Sequence, residues 1–119
     1  MSDWRTEIKE IVDEHLKLKK GANKIISEVL NELRVSPYGY ETHFVQKHVK
    51  PLEWDIDIKI DDVGTFRYSI DIRDFADEKK NEYGEVVSYF ITDDHQKYKD
   101  KIRNIIVTKI KDDLAYQAP

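Results

Sequence analysis

The sequence predicts an α+β fold in a single domain over residues 1–119: a long N-terminal helix, a three- or four-stranded antiparallel sheet and a C-terminal helix packed on one sheet face. Three observations predict it. Apolar residues recur at intervals of three and four over residues 3–34, they alternate strictly over 52–60 and 65–73, and a second three-four stripe runs over 94–115.

The first stripe consists of Trp4, Ile8, Ile11, His15, Leu18, Ala22, Ile25 and Val29, widened by Val12, Leu16, Ile26, Leu30 and Leu33. Ser2 or Asp3 can cap its start. Acids fill its first half and Lys17, Lys19, Lys20 and Lys24 follow, in keeping with the helix dipole. Gly21 is a possible break, but the stripe continues through it and favours one helix. Ser36-Pro37-Tyr38-Gly39 ends it. Such a helix is roughly 45 Å long, more than a domain this size covers along its length, so part of the stripe is expected to meet another chain.

Residues 41–49 fit neither period, leaving edge strand and short helix both open. Leu52, Trp54, Ile56, Ile58 and Ile60 then point inward from one strand, and Phe66, Tyr68, Ile70 and Ile72 from the next. Both sets fall on even numbers, so paired residues must sum to an even number. With Asp62-Val63-Gly64 as a three-residue loop the sum is 126, which sets Asp55 opposite Asp71. Residues 74–84 read as a charged connection. A further strand over 85–92 is apolar on both sides and expects a cover on each. Thr92 or Asp93 can cap the last helix, whose stripe is Tyr98, Ile102, Ile105, Ile106, Ile110 and Leu114, and residues 116–119 are expected to fray.

Of 119 residues, 39% are hydrophobic and 37% charged, which suits one core and not two. There is no cysteine, so disulfides, thiolate metal cages and cysteine nucleophiles are excluded. A net charge of −4 gives no global pull toward nucleic acid or anionic lipid, and no apolar run approaches membrane-spanning length. The acid is concentrated: residues 51–100 hold 14 of the 24 acidic side chains and 7 of the 20 basic ones.

Catalytic signatures are sparse. His43 and His48 are five apart, a spacing that shares neither a helix face nor a strand face, and the four glycines are scattered. Asp55, Asp57 and Asp71 remain as clustered carboxylates suited to a hard divalent cation. The stretch Asp71-Ile72-Arg73 after Asp55 resembles the metal-dependent nuclease pattern, an Asp followed on a neighbouring strand by Asp/Glu-x-Lys. That resemblance implies metal-binding acids and a lysine assisting the attacking water. Here Arg73 stands at the lysine position and no proline precedes Asp55. The overall layout is shared by double-stranded-RNA-binding domains, small acidic secretion chaperones and phage-encoded proteins. The acidic start of the last helix speaks against the first of these.

The expectation is therefore a small cytoplasmic, non-catalytic protein-binding chain, an adaptor, chaperone-like or phage or mobile-element accessory protein. Its partner is another protein, met at an acidic sheet face of Glu53, Asp55, Asp57 and Asp71 with Tyr38 and Tyr40. It forms a homodimer through the first helix, at Ile11, Leu18 and Ile25, or through the apolar strand over 85–92. No catalytic residue, cofactor, metal, membrane or nucleic acid enters this reading. The alternative is a metal-dependent nuclease or phosphodiesterase using Asp55, Asp57 and Asp71.

Overall fold

The structure, a computed structural model, describes residues 3–47 and 51–115. Its elements in order are α1 (Trp4–Arg34), β1 (Glu41–Lys47), β2 (Glu53–Ile60), β3 (Gly64–Asp71), α2 (Ile72–Phe75), β4 (Asp77–Lys80), β5 (Val86–Phe90) and α3 (Gln96–Leu114). Both long helices and an antiparallel sheet stand where the periodicity predicts them. His48 and residues 49 and 116–119 lie outside the described residues, as does Ser2.

Asp3 caps α1, its carboxylate accepting the Arg5 backbone N–H at 3.0 Å. The helix runs through Gly21 without interruption. Val35 then turns extended ahead of the Ser36-Pro37 turn, and its carbonyl accepts the Tyr38 and Gly39 N–H groups.

Residues 41–47 are a strand, which settles the ambiguous segment, and the sheet order is β1-β2-β3, antiparallel throughout. Inward-facing Trp54, Ile56, Ile58, Phe66 and Ile70 pack against Ala22, Ile25, Ile26, Val29 and Leu30 of α1 and Tyr98, Ile102 and Ile106 of α3. The even-numbered face is therefore the buried one. On α1 and α3, Glu28 pairs with Lys99 and Glu32 with Arg103, so the helices run side by side in the same direction.

The register differs from the expected one by two residues. Pairs sum to 124, with Trp54 opposite Ile70, Ile56 opposite Tyr68 and Ile58 opposite Phe66. The loop is Asp61-Asp62-Val63, because Asp62 takes the left-handed conformation (φ 66°), as Asp tolerates, while Gly64 (φ 141°) already pairs with Ile60. A two-residue slip preserves parity, so every face stays correct while every partner changes. Asp55 consequently lies opposite Ser69, and Asp71 opposite Glu53.

Four further expectations are corrected. The second strand stops at Asp71, which caps the short α2 through a reciprocal capping box with Asp74. The charged connection is not all loop, since Asp77–Lys80 forms β4. Nor does the apolar strand join the main sheet: β5 pairs with β4 in a separate two-stranded ribbon that leaves Val86, Val87 and Phe90 exposed. The last helix starts later than expected, at Gln96. Its N-cap residue is His95, and the Gln96 N–H reaches Asp94 rather than Thr92 or Asp93.

Candidate functional site

Two surfaces stand out, the outer face of the sheet and the projecting half of α1. On the outer face the odd-numbered residues form three rows, Glu41 to Lys47, Glu53 to Lys59 and Thr65 to Asp71. Charges of both signs interleave there. Asp55 accepts the Ser69 hydroxyl at 2.7 Å and pairs with Lys47 at 3.2 Å, which together hold its carboxyl below the usual range. Asp57 lies 3.3 Å from Arg67, and Glu41 pairs with Lys59. Asp71 is engaged by Arg73 at 2.9 Å, the main cause of its own lowered pKa, and by the start of α2. Glu53 sits at the end of its row, across from Lys47 on one side and Asp71 on the other.

This arrangement is a mosaic, not a uniform acidic field. A shallow depression of about 470 Å³ crosses it, bordered by His43, Val45, Asp57, Arg67 and Ser69. The feature that suggested metal chemistry, Asp55 facing Asp71, is dissolved by the register. Among the described residues no group of three or more His, Asp or Glu side chains could hold a metal ion. What the face can do chemically is form exposed ion pairs and hydrogen bonds with a surface of matching pattern, each pair contributing under about 1 kcal/mol.

The aromatics near the corner between α1 and the sheet divide between core and surface. Trp54 is buried in the core, its indole N–H donating to Asn23 Oδ1 at 2.6 Å, and Phe44, opposite Ile56 on the inner face, is half-buried against the same core. Tyr38 is exposed next to half-buried Tyr40, their ring centroids 6.2 Å apart at the turn leading into β1.

Along α1 the stripe divides in two. From Ala22 onward it is covered by the sheet and α3. From Trp4 to Lys17 every residue is exposed, and Trp4 (68%), Ile8 (49%), Ile11 (67%), Val12 (46%) and Leu16 (51%) present apolar surface to water. Of the residues expected to mediate self-association, Ile11 lies in this uncovered stretch, Leu18 at its margin, half-buried against the core, and Ile25 wholly inside the chain's own core. The molecule is correspondingly elongated, 64 Å by 30 Å by 25 Å. Isolated exposed hydrophobes are ordinary, but five on one helical face make a contiguous apolar patch of the kind that marks an interaction site.

Beside this arm lies the β4–β5 ribbon, and a second depression of about 560 Å³ separates them, bordered by Glu14, Lys17, Leu18, Tyr89 and Phe90. The ribbon is held by a cluster that the sequence pattern did not single out. Tyr98, fully buried at the start of α3, donates its hydroxyl to Asp77 at 2.6 Å and accepts the Thr92 N–H at 2.8 Å. Lys97 completes the cluster on Asp77 at 2.7 Å and, with Tyr98, holds that carboxyl below its usual range. Only the apolar spacing of α3 hinted at Tyr98; its Asp77 partner sits in an all-polar strand with no period.

No family model, curated protein or solved structure matches this chain. The class it can be given is that of its architecture, an α+β domain with a projecting helical arm. Among the described residues no helix is long and apolar enough to cross a membrane.

Proposed function

We propose that the chain is a non-catalytic protein-binding protein of adaptor type. It self-associates as a homodimer through the N-terminal half of α1 and offers the charged outer face of the sheet, with Tyr38 and Tyr40 nearby, to a further protein. One observation carries this reading: the chain completes its own core from residue 22 of α1 onward, yet the same apolar stripe extends four turns past that core uncovered. Leaving the stripe in water has a cost, since burying an Ile or Leu side chain contributes about 1.5 to 3 kcal/mol. A chain that needed α1 only for its fold would not carry Trp4, Ile8, Ile11, Val12 and Leu16 on that face.

Light scattering on the full chain at micromolar concentrations is the test. Twice the chain mass is expected for the wild type and the monomer mass for Ile11→Glu, whose charge would be stranded in the interface. A wild-type chain that stays monomeric at 100-fold higher concentration removes the self-association reading.

A further inference from the structure

We infer that the two copies pair with their α1 helices antiparallel, Trp4 of each packing at the level of His15 of the other and Ile8 against Ile11. The inference rests on the self-association proposed above and adds its geometry. It follows from two features, the spacing of the stripe and the space left beside it.

The exposed residues Trp4, Ile8, Ile11 and His15 are spaced four, three and four, which reads the same in both directions. A two-fold axis passing between Lys9 and Glu10 therefore sets each of these residues opposite another of the set, as a coiled-coil seam requires. The segment is its own complement, and no second sequence is needed to fill the gaps between its side chains.

Space decides the direction. On the stripe side of α1 everything beyond Leu18 is occupied by the chain's own sheet and α3, packed on Ala22, Ile25, Ile26, Val29 and Leu30. Parallel helices joined by their stripes would force both cores into the same volume. Antiparallel helices put each core past the other's N-terminus, and the free length from Trp4 to Leu18, about 21 Å, takes the partner arm without collision. Trp4 of the second copy then arrives beside the depression between α1 and β5, where Phe90 is exposed. Trp4, Ile8 and Ile11 in the seam, with Val12 at its flank, amount to about 400 Å² per chain, so the pair buries on the order of 800 Å² of apolar surface, the low end for a specific interface.

The absence of cysteine makes the test direct. Trp4→Cys and His15→Cys are both placed on exposed positions, so neither disturbs the core. In the antiparallel dimer each residue is about 16 Å along the axis from its own copy, far outside disulfide reach, while Trp4 and His15 of opposite chains are level. Each variant oxidised alone should stay uncrosslinked, and an equimolar mixture should give a disulfide-linked heterodimer.

Two results overturn the inference while leaving self-association intact: a dimer in which Trp4→Cys links to itself, which is the parallel arrangement, or a dimer that links in neither format, which places the interface elsewhere. A monomer by light scattering instead overturns the reading beneath it. A second variant checks the flanks. Glu7 and Glu14 lie on the same edge of the stripe, so antiparallel pairing brings Glu7 near Glu14 of the other copy. Glu14→Lys should therefore tighten the antiparallel dimer by about threefold, from two symmetry-related surface pairs, and weakening would contradict it.

Discussion

The division of α1 into a covered and an uncovered half makes a paired prediction, Ile25→Ala against Ile11→Ala. The same atoms are removed from the same face of the same helix, two heptads apart. Ile25 is wholly inaccessible among core side chains, so its truncation loses transfer free energy and leaves a cavity, about 2 to 5 kcal/mol. With an unfolding entropy of about 2.1 cal/mol/K per residue, a loss near 3 kcal/mol lowers the melting temperature by about 12 °C. Ile11 is 67% exposed in the isolated chain, so the monomer loses little, and alanine's better helix propensity returns a few tenths of a kcal/mol. Its effect should fall on association. Three carbons at about 0.8 kcal/mol each, two-thirds of which become buried only on pairing, give roughly 1.6 kcal/mol per chain. Two copies give about 3 kcal/mol, raising the dimer dissociation constant on the order of 200-fold. Urea unfolding followed by circular dichroism over a range of protein concentrations separates the two, because only association makes the midpoint concentration-dependent. The wild-type midpoint should rise with concentration, that of Ile11→Ala should stay at the dilute value, and that of Ile25→Ala should be low throughout. Equal losses from both variants in the dilute limit would refute the division of α1 into core and arm.

Three other predictions concern the contacts that position these surfaces. Asn23→Ala leaves the buried Trp54 indole N–H without its acceptor and should cost about 1 to 3 kcal/mol by urea titration; a change below 0.5 kcal/mol on the order of experimental error would mean the bond contributes nothing. Tyr98→Phe removes the hydroxyl shared by Asp77 and Thr92, so amide exchange in β4 and β5 should accelerate before that of the main sheet; uniform acceleration would show that the ribbon does not open separately. The carboxyls of Glu28, Asp55, Asp71 and Asp77 are held below their ordinary values, chiefly by hydrogen bonds from Lys99, Ser69, Arg73 and Lys97 respectively. Their stabilising effect is therefore present above the unfolded-state value of about 4 and is lost as pH falls through the lower folded values. The urea midpoint should drop below about pH 4, less steeply in 0.5 M salt on the order of a 4 Å screening length, and a flat acid limb would contradict the assignment.

What the sequence made legible follows from what each physical pattern can encode. Alternation over Trp54 to Ile60 and Phe66 to Ile70 encodes which side of a strand is apolar, and that side is the buried one. It does not encode register, because a slip of two leaves the alternation unchanged. The deciding quantity was the backbone of a single residue, Asp62, whose left-handed conformation let the turn close one residue earlier. The error passed straight into the candidate site, since the Asp55 and Asp71 juxtaposition was a statement about register. The β4 strand was unreadable for a different reason. Asp77-Glu78-Lys79-Lys80 has no apolar side to report, and it is held by pairing with β5 and by Tyr98 reaching across from α3. Two apolar faces on β5 led to the expectation of a cover on each, and the described residues do not supply it: Val86, Val87 and Phe90 stay exposed.

Gly21 joins these threads, because it stands where the covered half of α1 ends and the arm begins. Glycine inside a helix costs about 1 kcal/mol relative to alanine, so its presence calls either for a backbone requirement or for a close neighbour. The structure supplies neither. Its backbone is helical, and a Cβ built there would meet Ile91 Cγ2 at 3.9 Å, an ordinary van der Waals contact. Gly21→Ala should therefore stabilise the fold by up to about 1 kcal/mol, mostly by restricting the unfolded chain, and should add a methyl to the contact between α1 and the segment following β5. If the helix is straight through this point in solution, dimer affinity should be unchanged or slightly raised, since the arm keeps its direction. A stabilised monomer with a weakened dimer would show instead that the arm must bend at Gly21 to reach its partner. Urea unfolding of the dilute chain and sedimentation of the concentrated one, done on the same variant, separate the rigid arm from the hinged one.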